Sequence, residues 1–527
     1  MNPEETELSA EVPELAWIAA LTSEGKYVAA AEAAERAYRS AAPGQRFLLL
    51  TLWEDIAFEI RPAGVGIPHP SVAGVVPALE ELIESGLADA QRAILMARLA
   101  RQESWPDPSR PSPRARAAVA LAREIGDQAA LIEALSALHI TIESASALHE
   151  RLAISSELVG LVGSHRSPAV RAMAYWRRQT DCLMAGDSTG YDHHVELLQA
   201  AAAETGEPFW KIVATIASTT RELLHGNYDR AEQALPALAE GLQQNNGLVS
   251  TAISSVGLLA RFQRGRGSEQ GLSRMLSGVR AAHVAFRVGL AYYLATSGRP
   301  TEARAEIGEV DLHSLPDDAG RVPCLCMATE LACAYFDDRT MAEQAYELLR
   351  PYEGQFAVTG DALNCLGPVD FYLGTTAGYL GLAAAAGHLQ RARDAAATLR
   401  ARPWLAKTLL LLGRRETDPE AAKTLLGEAL SISERIGYPA VANEARAALR
   451  PAPTPRVMPS KTELTPRERE ILGMTALGMT APEVAARLVL SPRTVEKHLE
   501  NAYAKIGARN RAEGTSWAIV NGLTEDA

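Results

Sequence analysis

The sequence has few cysteines and few aromatic residues, and these shortages exclude several classes of protein. Its 527 residues include five cysteines, too few for the disulfide framework of a small secreted domain. Cys324 and Cys326 are separated by one residue, and no histidine pair follows them at finger spacing, so a structural zinc module is not expected. Aromatic residues make up 6% of the chain, which favours helices because strands are enriched in aromatic side chains.

Long apolar runs are missing as well. No run approaches the roughly 18 residues that a membrane-spanning helix needs. The opening residues, MNPEETEL, are acidic, whereas a secretory signal begins with basic residues followed by an apolar stretch. These absences predict a cytoplasmic protein that binds no membrane.

Motifs for nucleotide binding and catalysis are also missing. A phosphate-binding loop ends in Gly-Lys-Ser or Gly-Lys-Thr, but of the seven lysines only Lys26 follows a glycine, and Tyr27 comes next. The adjacent residues His193 and His194 point in different directions on a helix, and no third metal ligand is placed with them. We therefore expect no enzymatic activity, no cofactor and no metal ion.

Residues 1–450 have the pattern of one helix after another. Stretches such as 25–40, 226–242 and 420–438 repeat apolar residues at intervals of three and four, which is typical of amphipathic helices. Clean alternation of apolar and polar residues between hairpin turns does not occur. The fold class predicted for the whole chain is therefore all-α.

A loose phrase recurs in this region: a glycine, two further residues, and then alanine at one-turn spacing. It begins at Gly25, Gly226, Gly298 and Gly387. Glycine supplies the positive φ of a tight turn between antiparallel helices, and small alanines let paired helices approach closely. The region resembles tetratricopeptide-type (TPR) repeats, whose period is about 34 residues, although the glycine spacing is irregular. The resemblance implies a TPR-like superhelix, and the alternative is a generic helical domain without a superhelix.

A proline-rich segment follows the helical region. Residues 451–460 contain four prolines, which do not fit a helix interior or a central strand, so an extended linker is predicted. Residues 461–527 hold nine basic and nine acidic side chains, and the net charge of −12 therefore comes entirely from upstream. A neutral C-terminal segment after an acidic N-terminal region is a weak form of the charge asymmetry typical of nucleic-acid-binding proteins.

Residues 461–527 contain the start and stop signals of four helices. Capping residues mark the starts at Thr465, Thr480, Ser491 and Asn510, and glycines mark the ends of the first, third and fourth helices. Two residues separate the second helix from the third, which is the spacing of a helix-turn-helix with the third as recognition helix. The residues predicted to form the core are Ile471, Leu472, Thr475, Ala476, Val484, Ala485, Leu488, Val495, Leu499, Ala502 and Ile506.

The same segment carries a family resemblance. The stretches that carry it are Leu464–Glu470, Gly478–Ala485, Leu490–His498 and Lys505–Glu513. Together they resemble the LuxR-type DNA-binding domain almost end to end. The resemblance implies that the first, second and fourth helices brace the third in the major groove, and it implies sequence-specific transcriptional regulation. Pro482 and Glu496 depart from residues common in the family, so the base preference stays open.

The resemblance also implies roles for individual side chains. The residues expected to face bases are Glu496, Lys497 and Glu500. Those expected near phosphates are Thr480, Ser491, Arg493, Thr494 and His498. Lysine can donate to guanine and glutamate can accept from cytosine, while the first turn of a helix, here beginning at Ser491, can grip a phosphate. Trp517 in the fourth helix is a candidate dimer contact.

A second interpretation stays open for several of these residues. Glu496 and Glu500 could form an ordinary solvated face, and Thr494 could serve only to start the helix. His498 could pack at the edge of the core. Trp517 could belong to the core itself, in which case it would not reach a second copy of the chain.

The predicted organisation is a TPR-like sensor or interaction domain (1–450), a linker (451–460) and a LuxR-type helix-turn-helix domain (461–527). Residues 1–450 resemble the helical part of large ATP-binding LuxR regulators without their ATPase. The predicted partners are double-stranded promoter DNA bound as a homodimer, RNA polymerase, and an unidentified protein or small molecule on the repeats. Two alternatives remain: an interaction scaffold with no salt-dependent DNA affinity, and a nucleotide-driven switch, which requires ATP binding.

Overall fold

The computed structural model describes residues 13–59, 72–104, 112–244, 284–450 and 464–524, except residues 25, 164, 309, 361 and 363. The chain divides into two compact units, Met1–Leu449 and Arg450–Ala527. The proline-rich segment 451–460, Gly25 and Lys461 lie outside the described residues. None of the helices in the described ranges has both the length and the apolar surface required to span a lipid bilayer.

The described part of the first unit is built almost entirely of helices, which confirms the predicted all-α fold class. Before residue 245 they are α1 (Pro13–Ser23), α2 (Tyr27–Ser40), α3 (Pro43–Glu59), α4 (Val75–Ile83), α5 (Asp89–Ser104), α6 (Pro113–Ile125), α7 (Gln128–Ile140), α8 (Leu148–Val162), α9 (Pro168–Ala185), α10 (Ser188–Thr205), α11 (Pro208–Leu224) and α12 (Tyr228–Gln244). After residue 283 they are α13 (Val284–Thr296), α14 (Pro300–Ile307), α15 (Arg321–Glu330), α16 (Arg339–Leu349), α17 (Val369–Leu380), α18 (Ala385–Thr398), α19 (Arg402–Arg415), α20 (Pro419–Ile436) and α21 (Pro439–Ala448).

Side-chain caps and left-handed glycines set the ends of these helices. The Ser167 hydroxyl accepts a hydrogen bond from the Val170 amide at the start of α9, and Gly186, at φ 73°, ends that helix. Asp187 then caps α10. Because the cap satisfies an otherwise unpaired amide and glycine adopts positive φ without strain, two residues are enough to connect α9 to α10, which pack against each other.

The predicted glycine turns are present at two of the three described places. Gly226 and Gly298 have φ of 73° and 81° and each separates two helices that pack together. Gly387 is not a turn residue, because it lies in the first turn of α18, and the left-handed glycine before that helix is Gly381. The fully buried alanines that follow these glycines are Ala231, Ala303, Ala392 and Ala396. Most consecutive helices of the described part pack against each other, and the TPR-like superhelix stays a prediction.

A β-hairpin between α16 and α17 is an element that the sequence analysis did not predict. Strand β1 (Phe356–Thr359) pairs antiparallel with β2 (Asn364–Pro368), with one irregularity in the register. Both strands are almost wholly buried, so they lack the polar–apolar alternation by which a half-exposed strand is recognised. Trp404 of α19 packs directly on the backbone of Gly367 in β2, where φ is 90°. The hairpin is therefore enclosed by helices of the first unit.

The described part of the second unit contains four helices: α22 (Pro466–Ala476), α23 (Ala481–Leu488), α24 (Pro492–Ile506) and α25 (Arg511–Val520). One apolar cluster joins α22, α24 and α25, and a second joins α22, α23 and α24. Leu499 packs against both clusters. The predicted core is confirmed, except that Ala476, Leu488 and Leu499 are half-buried because they lie at the edges of these clusters.

Candidate nucleic-acid interface

The four predicted helix starts in the second unit are confirmed. Thr465, Thr480, Ser491 and Asn510 are the N-cap residues of α22, α23, α24 and α25. At the first of these, the Thr465 hydroxyl accepts from the Glu468 amide while the Glu468 carboxylate accepts from the Thr465 amide. Such reciprocal caps satisfy two amides that a helix start leaves unpaired. At α24 the Ser491 hydroxyl caps the helix alone, and it determines which residues α24 presents in its first turn.

The turn between α23 and α24 spans residues 489–491. Val489 ends α23 in the left-handed conformation, with φ 54° and ψ 48°, and its side chain is 91% exposed. The Arg467 guanidinium of α22 donates a hydrogen bond to the carbonyl of Leu488, which has no partner within a helix that ends there. This bond fixes the end of α23 against α22, and the turn then leads the chain into α24, as in a helix-turn-helix.

The outward face of α24 carries the three residues predicted to face bases. Glu496, Lys497 and Glu500 are exposed and lie opposite Val495 and Ala502, which are fully buried. The Lys497 ammonium donates to the Glu500 carboxylate at 3.0 Å, and the two side chains are 70% and 68% exposed. An ion pair this exposed contributes little to stability, so both groups are available to an incoming ligand.

Three of the residues predicted near phosphates meet at the start of α24. The Ser491 hydroxyl oxygen accepts from the Thr494 amide at 3.1 Å and is 2.7 Å from the Thr494 hydroxyl. Arg493 is exposed beside them, and His498 is half-buried one turn further along. This end of α24 therefore combines a helix N-terminus with a cationic side chain, which is the chemistry that holds a phosphate.

Thr480 lies at the start of a different helix, α23, and its hydroxyl is already engaged. It donates to the Glu483 carboxylate at 2.7 Å, and the Thr480 amide donates to the same oxygen at 2.7 Å. These hydrogen bonds lower the pKa of Glu483 below its usual value. A phosphate at this helix start would have to compete with a carboxylate.

Several basic side chains of the second unit hold the fold together. Lys505 donates to both carboxylate oxygens of the buried Glu468, at 3.0 and 2.8 Å. Burial raises the pKa of this carboxyl, but the hydrogen bonds from Lys505 and Thr465 outweigh burial and lower it. The ion pairs among the described residues of this unit are Arg467–Glu470, Lys497–Glu500 and Lys505–Glu468. The exposed arginines outside these pairs are Arg487, Arg493, Arg509 and Arg511.

Trp517 does not have the exposed position that a dimer contact requires. Its side chain is 2% exposed and belongs to the apolar cluster that joins α22, α24 and α25. The prediction of a dimer contact at Trp517 is therefore corrected: it is a core residue. The same helix exposes Ile519 and Val520, at 56% and 84%. Neither residue was predicted as a contact, although two adjacent apolar residues at a helix end were the available signal.

These features define a four-helix domain of the helix-turn-helix class. Residues 462–518 match the family described as "Bacterial regulatory proteins, luxR family", so the second unit carries a LuxR-type helix-turn-helix domain, as the sequence resemblance implied. The "Response regulator Rre1" of Synechocystis sp. is 30% identical over 121 residues, covering 22% of this chain and 48% of that protein. The "Transcriptional activator protein SolR" of Ralstonia nicotianae is 40% identical over 116 residues, covering 22% of this chain and 46% of that protein.

A shorter match is confined to about one domain. The "CsgBAC operon transcriptional regulatory protein" of Escherichia coli is 44% identical over 58 residues, covering 11% of this chain and 27% of that protein. The chain spans about half the length of the first two relatives. All three relatives have the names of regulators and none has the name of an enzyme. The whole of the first unit, Met1–Leu449, lies outside the family match.

Proposed function

We propose that this protein is a sequence-specific DNA-binding transcriptional regulator in which α24 reads promoter DNA in the major groove. The observation that carries the proposal is the exposed face of α24, where Lys497 lies between Glu496 and Glu500. A helix-turn-helix presents its second helix to base edges, and a groove about 12 Å wide admits one helix. The LuxR-type identity of the domain supports the same assignment.

The chemistry of this face favours G·C base pairs. Lys497 donates to the O6 and N7 acceptors of guanine, and Glu496 and Glu500 accept from the N4 amino group of cytosine. In the free protein Lys497 donates to Glu500 across one turn. Binding exchanges this exposed ion pair for contacts with bases, and the exchange costs little because exposed pairs are weak.

Phosphate contacts position the helix in the groove. Ser491, Arg493 and Thr494 hold one phosphate at the start of α24, with His498 near the same strand and Thr480 near a second phosphate at the start of α23. Each phosphate that a cationic side chain neutralises adds about 0.9 to the negative slope of log affinity against log salt. Because residues 461–527 hold equal numbers of basic and acidic side chains, few contacts are expected and the slope should be moderate.

We further propose that the protein binds DNA as a homodimer through α25. Ile519 and Val520 form an exposed apolar pair at the end of that helix, which a second copy of the helix would cover. Two-fold symmetric proteins of this class bind half-sites about one helical turn of DNA apart. The operator is therefore expected to be a palindrome.

The remaining roles follow the predicted domain organisation. Residues 1–450 sense a protein or a small molecule, residues 451–460 link the units, and residues 461–527 bind DNA. The DNA-bound dimer recruits RNA polymerase, and the protein acts in the cytoplasm without enzymatic activity of its own. Consecutive packing of helices in the first unit supports a repeat array, whose stacked helices offer an extended binding surface.

The proposal is tested by selecting a preferred duplex in vitro with the full-length protein and measuring affinities by fluorescence anisotropy over a range of salt. Lys497→Ala is expected to weaken binding to the selected duplex by about 1–3 kcal/mol with little change in salt slope, because the residue reads a base. Arg493→Ala is expected to weaken binding to all sequences and to reduce the slope by about 1. The matched control is Lys423→Ala, an exposed lysine of α20 in the first unit, which should bind like the wild type.

Other outcomes support the alternatives. If selection returns no preferred sequence and affinity does not depend on salt, the helix-turn-helix is an interaction module and the DNA-binding proposal is wrong. If Lys497→Ala binds as tightly as Lys423→Ala, DNA is bound but α24 does not read it with this residue. Titration calorimetry that detects ATP binding would support the nucleotide-driven switch.

A further inference from the structure

Three side chains able to bind a metal ion converge in the first unit from three separate elements between residues 353 and 388. Glu353 follows α16, Asp370 lies in the first turn of α17, and His388 lies near the start of α18. One oxygen of each carboxylate and one ring nitrogen of the histidine all lie within 4.8 Å of one another. Asp370 and His388 are buried while Glu353 is 43% exposed, so the cluster opens to solvent on one side.

A guanidinium group contacts all three of these side chains. Arg391, one turn after His388 on α18, donates from Nε to Asp370 Oδ1 at 2.8 Å and from Nη2 to His388 Nδ1 at 2.6 Å. The same Nη2 pairs with the Glu353 carboxylate. The three groups therefore already converge on one positive charge. The Arg391 side chain is 47% exposed, so it can leave the cluster without opening the core.

The hydrogen-bond partners of His388 and Asp370 are also of the kind found around metal ligands. A guanidinium has no acceptor, so His388 Nδ1 must accept from Arg391 and the ring proton must reside on Nε2, where it donates to the Tyr346 hydroxyl at 3.2 Å. Asp370 Oδ2 accepts from the Gly354 amide at 2.8 Å. Outer partners of this kind orient metal-binding histidines and carboxylates.

The spacing of the two buried ligand atoms fits a small tetrahedral ion. His388 Nδ1 and Asp370 Oδ1 are 3.4 Å apart. With bonds of about 2.0–2.1 Å, tetrahedral Zn²⁺ separates its ligand atoms by about 3.3 Å. The exposed Glu353 would provide the third ligand by rotating its side chain, and water would provide the fourth. A nitrogen ligand among oxygens favours Zn²⁺ and its transition-metal neighbours over Mg²⁺ and Ca²⁺.

We propose that Glu353, Asp370 and His388 form a binding site for a divalent transition-metal ion, best suited to Zn²⁺, which displaces the guanidinium of Arg391. The exchange replaces one cation by another at the junction of α17, α18 and the segment after α16. The metal joins these elements through fixed bonds, whereas Arg391 joins them through hydrogen bonds. This inference concerns the first unit and does not depend on the proposed DNA binding.

The test is calorimetric titration of the full-length protein with ZnCl₂. The wild type is expected to bind one ion at this site, and Glu353→Gln and His388→Ala should weaken or abolish binding. Arg391→Ala should bind Zn²⁺ about tenfold more tightly or better, because the competing charge-assisted hydrogen bonds are gone. The matched control is Arg393→Ala on the same helix, whose partner is Asp394 and whose loss should leave Zn²⁺ affinity unchanged.

Two further measurements keep the outcome decisive. Since Glu353 is exposed, Glu353→Gln removes a ligand without a buried change, and its circular dichroism should match that of the wild type. Co²⁺ in place of Zn²⁺ should show the intense visible bands of four-coordinate geometry in the wild type and in Arg391→Ala. The proposal is overturned if neither of these proteins binds Zn²⁺ stoichiometrically. It is also overturned if Glu353→Gln and His388→Ala both bind like the wild type, because the ion then lies elsewhere.

Discussion

Replacing Val489 by glycine is expected to stabilise the helix-turn-helix. Val489 adopts φ 54° and ψ 48°, and the left-handed conformation costs an L-residue about 1–2 kcal/mol. Its side chain is 91% exposed, so its removal exposes almost no apolar surface. Glycine relieves the strain. It also gives the unfolded chain more conformational freedom, which lowers the free energy of unfolding by about 0.5–1 kcal/mol. The net effect expected for Val489→Gly is a gain of about 0.5–1 kcal/mol in the free energy of unfolding of this unit.

Amide hydrogen exchange on the full-length protein measures this effect within one unit. Peptides from α23 and α24 should show about two- to fivefold greater protection in Val489→Gly than in the wild type. The matched control is Ala486→Gly, which places glycine at an exposed position inside α23. It should lower the free energy of unfolding by about 1 kcal/mol, because glycine disfavours a helix interior and relieves no strain there. Equal losses of protection in the two variants would refute the claim that Val489 is strained.

Three further predictions concern other parts of the molecule. Gly367→Ala should lower the free energy of unfolding of the first unit by about 2 kcal/mol or more, because the added methyl would lie 2.3 Å from the Trp404 ring. Gly354 also has a positive φ, but a methyl added there would have nothing within 4 Å. Gly354→Ala should therefore lower the free energy of unfolding clearly less, as measured by calorimetry. Glu468→Gln should destabilise the second unit by about 1–2 kcal/mol at neutral pH. The pKa of Glu468 is lower in the folded unit than its ordinary 4.5. The stability that the ionised Glu468 contributes is therefore fully present above pH 4.5 and is lost as the pH falls through the folded-state pKa. If Glu468→Gln loses stability with falling pH as steeply as the wild type, this prediction is contradicted. Ile519→Asp should shift complexes on a palindromic duplex from two protein copies to one, as measured by mass photometry, whereas unchanged stoichiometry would place the dimer contact elsewhere.

The second unit could be predicted closely because its signals are local. Thr465 and Ser491 each cap a helix with proline at the next position, and the cap, the proline and the residues they bond lie within four positions of one another. Trp517 shows where local signals fail. The helix α25 has apolar residues on more than one side, with Trp517 buried and Ile519 exposed, so its sequence alone did not show which apolar residue would pack inward.

The first unit was predicted more coarsely because its distinctive features depend on distant residues. The buried hairpin has no alternating pattern, and its enclosure depends on Trp404, which comes after it in the chain. The group of Glu353, Asp370, His388 and Arg391 has no spacing that signals a metal site, since the fold alone brings these residues together. The expectation of no metal ion rested on the cysteine spacing and on the pair His193 and His194, so it did not take this group into account.

Genomic footprinting of the tagged full-length protein tests the central claim most directly. The proposed function predicts that the wild type and Lys423→Ala occupy the same discrete palindromic sites in promoters, and that Lys497→Ala loses most of this occupancy. If the wild type marks no discrete sites, or if Lys497→Ala marks the same sites equally well, α24 does not read promoter DNA as proposed.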